Sequence, residues 1–505
     1  MLEAAEIQGN VLRGFNTSHQ ILLGLMLPRP VGSAARAWIA GLPVTPLGTT
    51  AIWRAARREA RSLGQAGAPD PLTGLAISHS GAQALGLPVA GIRDGYFGQP
   101  MGMAADQLGD RVEDGAAADY LYGLTWDDTP DIMLILGGDD ATALGAAAAA
   151  ILSDAVGAGV RSLFSERGEK QAGEKEHFGF KDGISQPAPR GLLSNRPDDY
   201  LYQRMIPRED PRAAAYAWPG KPLVWPGQYV FGYAGHSRSS FDLPNPPVTG
   251  GEPWMRNGSF LVYRRLRQDV TGFRAWCASQ AAAMTAATAG TAPDPDAFAA
   301  RVVGRWPDGT PFHVAPGGPD TALSDDVRRA NHFGYDKPTG ETVVVDELGA
   351  RTVPGAPGDK YGLIGAMCAH IRKVNPRDLE ADKGSPNDTL RLQMLRRGIP
   401  YGPPHVEGEP GGVDRGLLFL SYQTSIANQF MKLVGDWMNH GDKPERGGEG
   451  HDLLVGQDRR AGRFGSFPRN DGSLFTAQAP RQFVNATGGA FLFSPAISVI
   501  RGLIG

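Results

Sequence analysis

Short apolar runs recur along the whole chain, at residues 21–27, 131–136, 228–233, 259–265, 416–422 and 489–493. Their length and their β-branched and aromatic content predict strands. The stretch QILLGLMLP, which contains the first run, is too short to span a membrane and reads as a core strand. GLLFLSYQ, residues 416–423, is apolar on both faces, as in a strand covered on both sides. Alternation puts Leu417 and Phe419 on one side of it and Leu418 and Leu420 on the other. Several strands lead into helical stretches. Residues 131–136 pass through Gly137 and Gly138 to Asp139, a helix-capping residue type, and then to an alanine-rich helix. Residues 259–265 lead through Asp269 to a helical run at 272–284. The plan appears in both halves, which predicts an α+β protein of two similar domains, each a sheet with helices packed on it.

At 505 residues the chain exceeds what one core usually serves. Residues 190–228, rich in Pro, Asp and Arg, read as the connection. Segments 236–256, 286–326, 335–360 and 439–480 are dense in Gly, Pro and Asp and read as long loops around the second domain. Net charge is −3, without a basic run, so nothing points to nucleic acid. Cys277 and Cys368 are too few for a disulfide framework or a four-thiolate metal site. They read as buried free thiols in a reducing compartment. Without an apolar run of spanning length, a basic secretory leader or a twin arginine, the expectation is a soluble cytoplasmic protein with no membrane partner.

Three stretches could carry chemistry. In HFGFKDGISQP, residues 177–187, Asp182 stands between Gly179 and Gly183 among apolar neighbours. Taken alone it is either a turn residue or a carboxylate held to move a proton. In GAMCAHIRKVNPRD, residues 365–378, His370 follows a small apolar approach and precedes Arg372, Lys373 and Arg377. It is either a structural histidine beside a solvated basic turn or an axial haem ligand, with arginines for the two propionates. Pro376 keeps any helix there short. In DTLRLQMLRRGIPYG, residues 388–402, a strand over 391–397 would set Arg396 beside Leu392 and Met394 and turn Arg397 away. Arg396 is then either buried with a partner or snorkelling.

Taken together and in this order, the stretches resemble the dye-decolourising peroxidase family. Its GxxDG signature is Gly179-Phe180-Lys181-Asp182-Gly183, and AHIRKVNPRD, RRGIPYG, RGLLFLSYQ and TGGAFLFSP also match. Weaker matches run from IQGNVLRGF through NGSFLVYRRLRQDV to GRWPDG, so the resemblance spans most of the chain. It implies two ferredoxin-like α+β domains, as in dimeric α+β barrels, with antiparallel sheets. Residues 1–190 would end in the GxxDG loop and residues 191–505 would bind haem b, iron protoporphyrin IX. His370 would be the proximal ligand, and Asp182 and Arg396 would be catalytic on the distal side. Arg372 and Arg377 would pair with propionates, Gly183, Ile184 and Ser185 would lie against the haem, and Leu417 and Phe419 would line the distal pocket. The reaction implied uses hydrogen peroxide to oxidise small organic donors such as phenols and anthraquinone dyes, and leaves homo-oligomer formation open. A haem carrier or iron-releasing protein and a pathway-specific haem oxidase are the alternatives. Retention of Asp182 and Arg396 argues against a carrier. Where relatives have an acid beside the C-terminal Gly-Gly, this chain has Ala490. The resemblance therefore supplies no partner for the His370 ring; a weaker acceptor there would make the ligand less electron-donating.

Overall fold

A computed structural model describes residues 2–64, 71–113, 116–192, 220–221, 223–239, 243–286, 292, 294–346, 349–445, 450–457, 462–469 and 471–504. Most of the expected connection lies outside these residues. Eight strands form the main sheet: β1 (His19–Met26), β2 (Leu72–Ile77), β3 (Ile132–Gly138), β4 (Arg161–Glu169), β5 (Ser259–Gln268), β7 (Ile399–Tyr401), β8 (Gly416–Gln423) and β9 (Val484–Ser494). A two-residue strand, β6 (Leu395–Arg396), adds to β8. All of these pairings are antiparallel, in the order β5-β9-β2-β3-β1-β4-β7-β8. Because β8 also pairs with β5, the sheet closes into a ring. Each half of the chain contributes one half of that ring. The seams are narrow: Tyr401 opposite Gly168 on one side, and Phe493 opposite Ile77 on the other.

Strand alternation now sorts the apolar side chains into two cores. Leu22, Met133, Ile135, Leu261, Leu418 and Leu492 fill the inside of the ring. Leu23, Leu134, Val262 and Phe491 face outward into a second core, covered by helices and loops. Helix α1 (Ala141–Gly157) packs on β1 and β3. Helices α2 (Val270–Thr285) and α3 (Pro295–Val303) pack on each other. The fold is thus α+β, with antiparallel sheets and packed helices, as the repeated strand–helix plan predicts. Both cysteines are buried and free. Among the described residues no helix is long and apolar enough to cross a membrane.

Three local expectations are corrected. Residues 228–233 do not form a strand. Pro226 and Gly227 turn the chain, and Gly232 sits at φ +90°. The run is apolar because Tyr229, Val230 and Phe231 are buried, not because it pairs. The cap of α1 is Asp140, which accepts from the Thr142 and Ala143 amides, whereas Asp139 pairs with Arg57. Finally, residues 391–397 are not one strand. A helical turn, Pro386–Leu390, ends there, and only Leu395 and Arg396 pair.

On the outer face of β5 and β8, Arg264 lies opposite Phe419 and Leu266 opposite Leu417. Arg264 is buried and ion-paired with buried Asp110, which also accepts from the Tyr120 hydroxyl at 2.7 Å. Removing one partner of such a pair leaves an uncompensated charge in the core. Asp110→Ala is therefore expected to lower the unfolding free energy by about 3–5 kcal/mol. Urea denaturation of Asp110→Ala and of the apolar double variant Asp110→Leu/Arg264→Met checks this, the double variant recovering most of the loss.

Candidate functional site

The outer face of β5 and β8 forms one wall of a cavity of about 270 Å³. Leu266, Leu417 and Phe419 line this wall, His370 stands on another side, and the loop carrying Asp182 crosses a third. His370 opens the short helix α4 (His370–Val374), which ends at Asn375 just before Pro376. Its Nδ1 lies 2.7 Å from Oδ2 of Asp452, a fully buried carboxylate. The other oxygen of Asp452 accepts from the Leu454 and Val455 amides, each at 3.0 Å. Burial pushes the Asp452 carboxyl up. The His370 charge and hydrogen bond and those two amides outweigh burial and hold it below the usual carboxylate range. An Nδ1–H donated to that carboxylate leaves the Nε2 lone pair for a ligand. Asp452 is thus the ring partner that the resemblance left open. It lies far along the chain from His370 with no motif spacing to announce it.

The Asp182 loop is shaped by two glycines. Gly179 has φ +103° and Gly183 φ +77°, and a Cβ at either would meet no protein atom within 4 Å. Backbone conformation, rather than crowding by the protein, requires glycine at both. Asp182 is exposed in the cavity wall, and its Oδ1 accepts from the Gly183 amide at 2.6 Å. Gly183, Ile184 and Ser185 also line the cavity. Asn331 braces the loop, donating to the Ile184 carbonyl and accepting from the Ser185 hydroxyl. Gln186 clamps it to β6: its side-chain amide accepts from the Arg396 amide and donates to the Arg396 carbonyl, both at 3.2 Å. Arg396 lines the cavity and donates to the Ser185 carbonyl. Arg397 points the other way, into the carbonyls of Asn10, Val11 and Leu12.

The two candidate propionate partners separate. Arg377 lines the cavity, donates to the Asn331 and Phe333 carbonyls, and stacks on Phe333 at 3.5 Å. Arg372 does not line it. Its guanidinium forks onto Glu445, donates to the carbonyls of Asp359 and Lys360, and lies over Tyr335. Off the cavity and with its charge matched by Glu445, Arg372 is structural. Sequence reasoning missed Arg305, a buried cavity-lining residue within the GRWPDG stretch. Burial, aided by repulsion from Arg377, pushes its guanidinium down to about 9. Buried Lys221 is lowered as well, by burial and then by Arg305 and Arg377. Among the described residues no carboxylate forms an ion pair with Arg305 or Arg377. An apolar cavity rimmed by mutually repelling buried cations is suited to an apolar ligand with anionic groups. Among the described residues, no three His, Cys, Asp or Glu side chains gather to hold a bare metal ion. A metal on His370 would have to bring its remaining donors, as a porphyrin does. The residues therefore fit haem.

Comparison with known proteins agrees. Residues 331–446 match the profile of the C-terminal part of Dyp-type peroxidases. The chain is 28% identical over 460 residues to the dye-decolorizing peroxidase msp1 of Mycetinis scorodonius, covering 86% of this chain and 77% of that protein. The chain belongs to the dye-decolourising peroxidase family. A solved ancestral D-type dye-decolourising peroxidase superposes with a TM-score of 0.79 at 26% identity, covering 100% of this chain and 99% of the other. A second dye-decolourising peroxidase, solved in complex with 2,6-dimethoxyphenol, gives a TM-score of 0.75 at 26% identity, covering 100% of both chains. Dye-decolourising peroxidases are haem enzymes, in keeping with the cavity.

Asp452→Ala is expected to free the His370 ring and to weaken haem retention about 10- to 100-fold. Haem transfer from the purified protein to apomyoglobin measures this; a transfer rate equal to wild type would show that another group orients the ring.

Proposed function

We propose that this haem peroxidase uses haem b and hydrogen peroxide, with His370 as the proximal ligand and Asp182 and Arg396 as the distal catalytic pair. The carrying observation is convergence. A histidine oriented by a buried carboxylate and an acid-bearing loop line one apolar cavity, with an arginine between loop and sheet. Bound there, haem supplies the redox chemistry by which electrons pass from an organic donor to peroxide.

The chain's own residues have separable tasks. His370 Nε2 binds the iron, and Asp452 keeps the ring turned toward it. Arg305 and Arg377 hold the propionates, whose charge relieves the repulsion between these two cations. Gly183, Ile184 and Ser185 lie against the macrocycle, and Leu417 and Phe419 exclude water. Oδ1 of Asp182 is occupied by the Gly183 amide, which leaves Oδ2 to take a proton from one peroxide oxygen and return it to the other, which departs as water. Arg396 stabilises negative charge on the departing oxygen. Phenols and anthraquinone-type dyes are the donor classes. The phenol bound in a structural neighbour supports the first. Two further readings belong to this proposal. The domains are residues 1–190 and 191–505, supported by the single-pair seams of the ring. The compartment is the cytoplasm, supported by the two free buried thiols.

Asp182→Asn is expected to lower kcat/KM for hydrogen peroxide by about 10²- to 10⁴-fold, read from steady-state kinetics. An unchanged kcat/KM removes Asp182 from the reaction. His370→Ala is expected to lose or shift the Soret band of the purified protein, and an unchanged band removes His370 as ligand.

A further inference from the structure

Asp182 makes few contacts of its own. Among the described residues its carboxylate bonds only to the next amide along the chain, and its own amide donates to the Glu174 carbonyl. Its aim therefore depends on how the preceding residues are held. Glu176 is at the centre of that segment. Its Oε2 accepts from the Phe178 amide at 2.9 Å and from the Gln268 side chain at 2.5 Å, and its Oε1 accepts from the Phe180 amide at 2.9 Å. The Glu176 amide donates to the Phe180 carbonyl, and the Gly179 amide donates to the Glu176 carbonyl. Side chain and backbone together close residues 176–180 into one turn. Gln268 is the last residue of β5, so the same carboxylate fastens that turn to the sheet. Phe178 is thereby packed on Phe273 at 4.6 Å. None of this was legible beforehand, because Glu176 precedes the signature and binds two amides that only the folded turn brings together.

We propose that Glu176 is a positioning residue for peroxide activation: its carboxylate ties the Asp182 loop to β5 and keeps Asp182 aimed into the cavity. The proposal rests on Asp182 being the proton-transferring group. The charge that acts on Glu176 is that of Asp182 on its own loop, while its partner Gln268 from β5 is neutral. Burial pushes the Glu176 carboxyl up to about 7, its three donors opposing and the Asp182 charge adding to the rise. Above that pH Glu176 adds its own charge to the cavity wall, and below it Glu176 is neutral.

The test uses the haem-loaded protein and four variants, Glu176→Ala, Glu176→Gln, Gln268→Ala and Asp182→Asn. Amide hydrogen exchange of residues 176–183 is read by mass spectrometry, beside the pH profile of kcat/KM for hydrogen peroxide. Losing one tether bond should speed exchange of the loop about tenfold in Gln268→Ala, and losing all three should speed it further in Glu176→Ala. kcat/KM should fall in the same order, with the Soret band unchanged. Glu176→Gln keeps one acceptor and should restore part of both, while losing the inflection near pH 7 expected of the wild-type profile. Asp182→Asn should leave exchange at residues 178–180 unchanged. If Glu176→Ala fails to fold, Gln268→Ala and Glu176→Gln decide the matter. Wild-type exchange rates in the Glu176 and Gln268 variants would overturn the tether. A loosened loop with undiminished peroxide turnover would overturn the positioning role, whereas undiminished turnover in Asp182→Asn would overturn the role of Asp182 on which the proposal rests.

Discussion

The hydrogen bond between His370 Nδ1 and Asp452 organises the candidate site. A neutral imidazole offers one lone pair, and its partner decides which nitrogen carries it. Asp452 can serve because Leu454 and Val455 fasten its second oxygen and burial leaves it no competing water. The ring is thus oriented by the backbone of a distant loop, through a carboxylate that cannot turn away. The cavity, its cationic rim and the acid-bearing loop gain their chemical meaning from the nitrogen that this bond leaves open.

The closed sheet supplies the stiff surface against which that nitrogen is aimed. Its inner face is a packed apolar core, so β5 and β8 cannot flex toward the cavity without disturbing the interior. On the outer face the same strands present Leu266, Leu417 and Phe419. One polar side chain on that face, Arg264, lies opposite Phe419 and has its charge matched by Asp110. Arg305, Arg377 and Lys221 differ from it, since among the described residues no acid pairs with the first two, and burial depresses all three. Arg264 serves the fold, whereas the rim cations suit an anionic partner from outside the chain.

Legibility followed the range of the interactions involved. The central strands could be read from their apolar runs, because a strand covered on both faces has little room for polar residues. Leu417 and Phe419 could be assigned to one face, because alternation is a property of any extended backbone. Residues 228–233 misled for a related reason. They are apolar because they are buried, and burial alone does not distinguish a strand from a packed turn. Arg372 misled through proximity. It follows His370 closely in sequence, but Glu445 and two backbone carbonyls take up its guanidinium.

By itself the sequence determined the strand-rich α+β plan, the covered faces of the central strands, and the set of residue types capable of haem peroxidase chemistry: one histidine, one loop acid and one arginine. These depend on local geometry and on motif order, both of which are written along the chain. Only the tertiary structure decided that the sheet closes, that Asp452 orients His370, that Arg305 and Lys221 stand with Arg377, and that Glu176 holds the loop. Each of these joins residues that are remote in sequence or meet only once the chain has turned. Their pairing is set by which buried charge or amide would otherwise lack a partner, and that is known only when the chain has closed around them.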